Sequence, residues 1–155
     1  MAGFDYKLAE EIRDAFKRHQ VKYLFIGKSG AILLGYPDTT QDADLFVEKD
    51  TANCERLVQA LLELGFALTD QLAQEIRRGK DFIQLKNGPF DVDLIFAPDG
   101  IENFEDAWRR RVEVKGFPVC NIDDIVQSKQ AANRQKDRES LPRLLKFREW
   151  LKKQR

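Results

Sequence analysis

Two pairs of aspartates indicate the chemistry of this chain most directly. Asp42 and Asp44 lie two residues apart just before an apolar run, and Asp91 and Asp93 lie two apart within the alternating segment Phe90–Phe96. Residues two apart on a strand face the same side of a sheet, so each pair places two carboxylates side by side. Such like charges repel unless a proton or a cation lies between them. Carboxylate pairs suit Mg²⁺, which takes oxygen ligands and often also binds substrate phosphates.

The two pairs would form one site if their strands were neighbours in a sheet. Asp42, Asp44 and Asp93 would then converge, which is the arrangement of a two-metal site for phosphoryl transfer. Asp93 is the favoured third acid because Leu-Ile-Phe follows it. Asp91 shares its face on the predicted strand and remains the alternative.

A glycine turn precedes the first aspartate pair. An apolar run ends at Gly27, and the short helix predicted next would offer the free N–H groups of its N-terminus to a phosphate. Lys28 is interpreted either as a cation that contacts phosphate or as a solvent-facing residue. Ser29 either bonds a phosphate oxygen or caps the helix. Thr40 either orients Asp42 or starts the strand.

Together these motifs resemble the nucleotidyltransferase superfamily, whose pattern is a strand, a Gly-Gly or Gly-Ser turn, Asp-x-Asp and a third acid on a later strand. Within that superfamily the chain is most similar to the minimal AbiEii-toxin-like branch. The segment Lys129–Asp137 is similar to the branch's Lys-x-x-Ala-x-Arg-x-Lys-Asp helix signature. The other matching positions are Gly27, Gly35, Thr40, Asp42 and Asp44, with Asp93 as the third acid.

The resemblance implies a Mg²⁺-dependent enzyme that moves a nucleotidyl group from a nucleoside triphosphate (NTP) to a hydroxyl group. The acceptor is expected to be RNA such as tRNA, a protein or a small molecule. The expected setting is a toxin–antitoxin pair, with an antitoxin or a second copy of the chain as partner. Two Mg²⁺ ions are expected, one on Asp42 and Asp44 and a second that Asp93 joins while it helps to deprotonate the hydroxyl. The residues expected to contact the nucleotide are Gly27, Lys28, Ser29, Thr40 and Lys129.

Four positions depart from the branch's pattern. Lys28 replaces the second turn glycine, Gly30 the usual alanine, Leu34 the usual histidine and Asp38 the usual arginine. These changes alter the turn that would hold phosphate, whereas the metal-binding acids are intact. The alternative interpretation is a catalytically degenerate module that keeps the fold and binds a nucleotide or a metal.

The C-terminal part of the chain is basic although the whole chain has no net charge. Residues 129–155 contain ten Lys and Arg against three Asp and Glu, a net charge of +7. Lys129 lies between apolar positions of a predicted helix, so it is the basic residue most expected to face the cleft. The excess charge indicates either a solvated terminal helix or a surface for nucleic acid.

Composition and length predict one domain over residues 1–155, with C-terminal helices from about residue 121. The fold class is mixed α/β (α+β), a nucleotidyltransferase-like mixed sheet flanked by helices. No apolar run approaches the ~20 residues of a membrane span, and the charged amphipathic start of the chain is unlike a signal peptide. A cytoplasmic protein without a membrane partner is therefore expected. Cys54 and Cys120 are predicted to be unpaired thiols.

Hydrophobic periodicity and turn residues predict the elements. Asn87-Gly88 predicts the turn of a hairpin, and Pro142 is expected in the first turn of the last helix or at a kink. The predicted helices cover residues 4–19, 29–34, 51–64 with Thr51 as the N-cap, 71–78, 101–111, 122–133 and 137–153. The predicted strands cover residues 21–26, 43–47, 66–68, 80–86, 89–96, 112–114 and 117–119.

Overall fold

The computed structural model describes residues 3–154, which form a six-stranded mixed sheet and seven helices. The helices are α1 Tyr6–Arg18, α2 Gly27–Leu33, α3 Thr51–Glu63, α4 Asp70–Arg77, α5 Phe104–Arg109, α6 Ile122–Ala132 and α7 Gln135–Lys153. The strands are β1 Tyr23–Phe25, β2 Ala43–Val47, β3 Phe82–Leu85, β4 Val92–Ile95, β5 Val112–Val114 and β6 Phe117–Val119. The predicted α+β class is confirmed.

The sheet has the strand order β3-β4-β2-β1-β6-β5. The pairs β2–β4 and β1–β6 are parallel, and the other neighbouring pairs are antiparallel. Strands β2 and β4, which carry Asp44 and Asp93, are therefore neighbours in the sheet. The register pairs Asp44 directly with Asp93, and Asp93 with Gln84 of β3.

The alternation of buried residues explains which face of each strand carries polar groups. On β4, Val92 and Leu94 are buried, whereas Asp93 and Ile95 are only half-buried. The predicted division of this strand into an apolar and an acidic face is confirmed. On β2, Asp44 is the one half-buried residue, and its four neighbours on the strand are buried.

Helix starts follow from side-chain caps. Asp5 accepts a hydrogen bond from the Leu8 N–H at the start of α1, at 2.8 Å. Asp50, and not the predicted Thr51, is the N-cap of α3, because its carboxylate accepts from the Asn53 N–H at 3.0 Å. A carboxylate in this position also interacts favourably with the helix dipole, which gives Asp50 the advantage over Thr51.

One predicted strand is wrong. Residues 66–68 are not a strand, because the end of α3 uses their first N–H group: Phe66 donates to the Leu61 carbonyl at 3.0 Å after Gly65 turns the chain at φ +102°. Such a left-handed glycine is a common helix ending. The Phe66 ring then packs on Phe90 with centroids 5.0 Å apart, so its side chain fills the core.

The predicted hairpin forms, but its turn is wider than a two-residue Asn-Gly turn. Strand β3 ends at Leu85 and pairs there with Val92, so residues 86–91 form the connection. Pro142 lies in the interior of α7, as its eighth residue, and not in the first turn. Because proline has no N–H group, the Arg138 carbonyl receives no donor from it.

Cys54 and Cys120 are both buried and free, as predicted. Among residues 3–154, none of the helices combines the length and the apolar character that crossing a membrane requires.

Candidate active site

An open cleft of about 800 Å³ lies over the carboxylate pair of β2 and β4. Its floor carries Asp44 and Asp93, and its walls come from α2, from the β3–β4 hairpin and from the junction of α6 and α7. Of the eight residues that the sequence predicts for the site, seven line this cleft and Ser29 does not. The seven are Gly27, Lys28, Thr40, Asp42, Asp44, Asp93 and Lys129.

Asp44 and Asp93 form the electrostatic centre of the cleft. Burial, followed by the negative charges of Asp93 and Asp42, raises the pKa of Asp44 to about 8. Burial and the charge of Asp42 raise the pKa of Asp93 as well. The two carboxyl groups lie close enough to share one proton through a hydrogen bond. At neutral pH the pair therefore carries less than its full negative charge and would gain from a cation.

Gly27 allows this carboxylate to lie against the backbone. Its φ of +63° is in the left-handed region, and a Cβ atom at this position would be 2.5 Å from Oδ2 of Asp44. No L-residue with a side chain fits there without displacing the carboxylate. The glycine after β1 is thus a geometric requirement of Asp44.

Ser29 has a different place from the one predicted for it. Its side chain is fully buried, and its hydroxyl accepts from the Asp44 N–H at 2.9 Å and donates to the Ile26 carbonyl at 3.1 Å. The hydroxyl therefore joins the start of α2 to β2. This geometry does not support contact between Ser29 and a ligand, and it makes Ser29 a residue that positions Asp44.

Asp42 and Thr40 lie on the segment that leads into β2. Asp42 is not on the strand, which begins at Ala43, but its charge reaches both carboxyl groups of the pair. The Thr40 carbonyl accepts from the Phe4 N–H at 3.0 Å, so this segment is tied to the start of the chain. The Thr40 side chain is half-buried at the rim of the cleft.

Lys28 is paired with Asp38, so two of the departures from the family pattern contact each other. The Lys28 Nζ atom lies 3.0 Å from Oδ2 of Asp38, and Arg143 of α7 lies 3.3 Å from the same oxygen. Arg143 also donates to the Pro37 carbonyl at 2.7 Å. A hydrogen bond from the Thr39 N–H and the contact with Lys28 lower the pKa of Asp38. These contacts hold the 37–39 loop between α2 and α7.

Lys129 lies in the wall of the cleft formed by α6 and α7, where its charge acts on the carboxylate pair. Its charge opposes the rise in the pKa of Asp44, and its Nζ atom lies 3.4 Å from Oδ1 of Asp137. Asp137 is buried, and it also accepts from Arg134 at 2.8 Å. Although burial alone would raise the pKa of Asp137, its hydrogen bonds with Arg134 and the charge of Lys129 lower it. The buried carboxylate therefore anchors two cations at this wall.

The structure brings Asp93, and not Asp91, beside Asp44. Asp91 precedes β4 and does not line the cleft, and its Oδ1 atom is buried without a hydrogen-bond partner among residues 3–154. Its carbonyl accepts from the Ala43 N–H at 3.1 Å, which keeps β2 and β4 in register.

The three aspartates do not form a complete ligand cluster. In the part of the chain from residue 3 to 154, no group of three or more His, Cys, Asp or Glu side chains is arranged to hold a metal ion. The expectation of three carboxylates gathered as one ligand set is therefore not met in this arrangement. The donors still fit Mg²⁺, because this ion is commonly held by one or two carboxylates together with water and substrate phosphates.

Sequence reasoning missed Asp38 and Arg143 as residues that shape the cleft. Asp38 and Arg143 are 105 positions apart, and no local pattern indicates their contact. Asp137 did carry a signal, since it follows Arg134 by three residues at the start of a helix, the spacing of a capping interaction.

Comparison with protein-family models gives no match, and neither does comparison with curated proteins. Solved structures do match. The lincosamide antibiotic adenylyltransferase LnuA, with bound lincomycin, matches with a TM-score of 0.65 and 15% identity over 92% of this chain and 98% of that one. A proposed nucleotidyltransferase from Thermotoga maritima matches with a TM-score of 0.58 and 18% identity over 92% of each chain.

The chain therefore has the nucleotidyltransferase fold. This confirms the expected nucleotidyltransferase-like fold, whereas membership of the superfamily remains a prediction. The closer similarity to the AbiEii-toxin-like branch remains a prediction, because both structural neighbours are related to this chain through their fold.

Proposed function

We propose that this protein transfers a nucleotidyl group from a nucleoside triphosphate to a hydroxyl acceptor. One observation carries the proposal: Asp44 and Asp93 lie side by side on adjacent parallel strands, with a glycine that leaves room for Asp44, in a cleft that is also lined by cations. The fold is that of enzymes with this activity. A site with only a structural role would gain nothing from two repelling carboxylates.

The reaction balances with the groups present. The acceptor oxygen attacks the α-phosphorus of the triphosphate, the bond to the bridging oxygen breaks, and pyrophosphate leaves. Asp93 accepts the proton of the acceptor hydroxyl, a task that suits a carboxylate whose pKa is raised by burial and by the charge of Asp42.

Asp42, Asp44 and Asp93 would hold Mg²⁺, which supplies charge neutralisation for the phosphates and alignment of the attacking and leaving oxygens. Gly27 keeps the backbone clear of the Asp44 carboxylate. Ser29 holds the Asp44 backbone. These two residues fix the carboxylate before substrate arrives, so less reorganisation is needed in the reaction.

The cations of the cleft are suited to the triphosphate. Lys129, anchored by Asp137, lines the cleft and would balance charge on the leaving pyrophosphate. Lys28 lines the same cleft and would bind phosphate once it exchanges Asp38 for the ligand. Thr40 lies at the rim and would contact the nucleotide or steady Asp42.

The biological setting is proposed from the motif resemblance alone. It is a toxin–antitoxin pair, with RNA such as tRNA, a protein or a small molecule as the acceptor and an antitoxin or a second copy of the chain as partner. LnuA, by its name, adenylylates lincosamide antibiotics, so a small-molecule acceptor is compatible with this fold.

A second candidate is a module that binds nucleotide or metal without catalysis. The observation in its favour is the ion pair of Lys28 with Asp38, since both residues depart from the pattern of the branch and Lys28 lies in the altered turn. The two candidates differ in turnover and not in binding.

Calorimetric titration with ATP, GTP, CTP and UTP, with and without Mg²⁺, tests the shared part of both candidates. We expect at least one Mg·NTP to bind, and binding to fall strongly without Mg²⁺ or in Asp44→Asn. Glu149→Gln is the matched control, since it makes the same acid-to-amide change at an exposed position outside the cleft. No Mg²⁺-dependent binding in the wild-type protein would overturn both candidates.

A further inference from the structure

The cleft is chemically divided along the sheet. Four of the five cations that line it lie on the side of α2, α6 and α7, namely Lys28, Lys129, Arg134 and Lys136. The side formed by β3, β4 and the segments next to them carries one cation, Lys86, together with Asp81, Asp99 and the apolar side chains of Phe82 and Ile95. The carboxylate pair separates the two sides. Under the proposed function the cationic side takes the triphosphate, which leaves the β3–β4 side to the acceptor.

Three apolar residues on three adjacent strands pair with one another and form a row across the sheet. This row lies next to the row of paired residues that contains the carboxylates. Ile95 of β4 pairs with Phe46 of β2 on one side and with Phe82 of β3 on the other. In the neighbouring row Asp93 pairs with Asp44 and Gln84. Residues two apart on one strand face the same side of the sheet and lie about 6.6 Å apart, so a small ring compound on Ile95 can place a hydroxyl group at Asp93.

Exposure increases along this row towards the edge of the sheet. Phe46 is 1% exposed and packs on Phe104 with ring centroids 5.0 Å apart. Ile95 is half-buried and lines the cleft. Phe82 is 45% exposed and also lines the cleft. Since β3 is the end strand of the sheet, no further strand of the described chain covers the Phe82 ring.

We propose that Phe82 and Ile95 form the acceptor subsite, and that the acceptor is a small hydroxyl compound with a planar ring. The ring lies on Phe82 and Ile95, and its hydroxyl group reaches Asp93 in the adjacent row. This assignment rests on the proposed function and goes beyond it by naming the acceptor class. Aromatic rings that pack on one another gain free energy beyond their buried area, which explains an exposed phenylalanine at this place.

Benzyl alcohol is the probe, because it combines a planar ring with a hydroxyl group, and 1,2-propanediol is its ringless control. Binding to the full chain is followed by NMR of ¹³C-labelled isoleucine methyl groups, with Ile95 as the reporter. We expect benzyl alcohol to shift the Ile95 methyl signal and 1,2-propanediol to leave it unchanged at equal concentration. Phe82→Ser should weaken benzyl alcohol about five- to tenfold, the size of an aromatic packing term.

Two further variants separate a lost ring from a lost fold. Phe82→Leu keeps an apolar side chain and should show an intermediate loss, with an unchanged melting temperature. Trp150→Leu removes another exposed aromatic ring, which is 53% exposed and outside the cleft, and should bind like the wild type. An unshifted Ile95 signal, or equal losses in the Phe82 and Trp150 variants, would overturn the acceptor subsite.

Titration of the same variants with Mg·ATP, or the Mg·NTP that binds best, distinguishes this inference from the function on which it rests. Nucleotide affinity that is unchanged in Phe82→Ser supports an acceptor subsite. A parallel loss of nucleotide and benzyl alcohol affinity would place Phe82 under the nucleobase and overturn the assignment, while the proposed function stands. Failure of the wild type to bind any Mg·NTP would overturn the proposed function and the acceptor role with it.

Discussion

Replacement of Gly27 by alanine should separate the geometry of the site from the stability of the fold. The added Cβ atom would lie 2.5 Å from Oδ2 and 3.0 Å from Cγ of Asp44, so the carboxylate has to move. The backbone also has φ +63° at this residue. The substitution therefore has a conformational effect on folding and a local effect on the carboxylate pair.

The effect of positive φ on folding stability can be measured separately at a second glycine. An L-residue in the left-handed region costs roughly 1–2 kcal/mol of unfolding free energy. Gly116→Ala has a comparable φ of +83°, but its Cβ would be no closer than 3.5 Å to any neighbour, the tip of Arg13. Both variants should show this loss of stability, and only Gly27→Ala should displace Asp44.

Chemical denaturation and Mg·NTP titration of both variants test this reasoning. We expect Gly116→Ala to bind nucleotide like the wild type despite its lower stability. Gly27→Ala should lose at least about tenfold in affinity, since even ~1.4 kcal/mol of misplacement has that effect. Wild-type affinity in a folded Gly27→Ala protein would refute the claim that this glycine makes room for Asp44.

Three further predictions concern neighbouring residues. Ser29→Ala should lower the unfolding free energy by about 1–3 kcal/mol in denaturant titrations, because the Asp44 N–H would lose its buried partner; no loss would show that water replaces the hydroxyl. Asp38→Asn should release Lys28 and tighten Mg·NTP binding a few-fold, as measured by calorimetry. The free energy of unfolding should change by under about 1 kcal/mol, since the ion pair is partly exposed. Weaker binding would mean that Asp38 holds Lys28 in the position that binds phosphate. Because the pKa of Asp44 is raised to about 8 in the folded protein, the wild type loses stability as the pH rises from about 4 to about 8. Asp44→Asn does not titrate there, so its stability relative to the wild type should increase across that range. A difference between their melting temperatures that does not depend on pH would contradict the shared proton.

The carboxylate pair could be predicted because it rests on strand parity. Apolar alternation in residues 90–96 sets which side chains face the core, and the Asp44–Asp93 contact follows once β2 and β4 are neighbours. Strands β2, β5 and β6 also have the predicted bounds. Local patterns of this kind depend only on residues that are close in sequence.

The remaining features depend on tertiary contacts. Residues 66–68 have the composition of a strand, but the sheet offers them no partner, and the helix ending takes the Phe66 N–H. The burial of Ser29 follows from the close approach of α2 to β2, and the hold of Arg143 on Asp38 from the path of α7. Neither contact has a signal in its own sequence neighbourhood.

Transfer of label from α-³²P nucleoside triphosphates is the most direct test of nucleotidyl transfer at the Asp44–Asp93 pair. The wild type and Asp44→Asn are compared with all four triphosphates and Mg²⁺, on bulk tRNA, on the protein itself and on benzyl alcohol. We expect label on at least one acceptor, and a loss of about 100-fold or more in Asp44→Asn, since each ~1.4 kcal/mol of barrier is tenfold in rate. Equal transfer by the wild type and a folded Asp44→Asn protein would contradict the assignment of catalysis to this carboxylate pair.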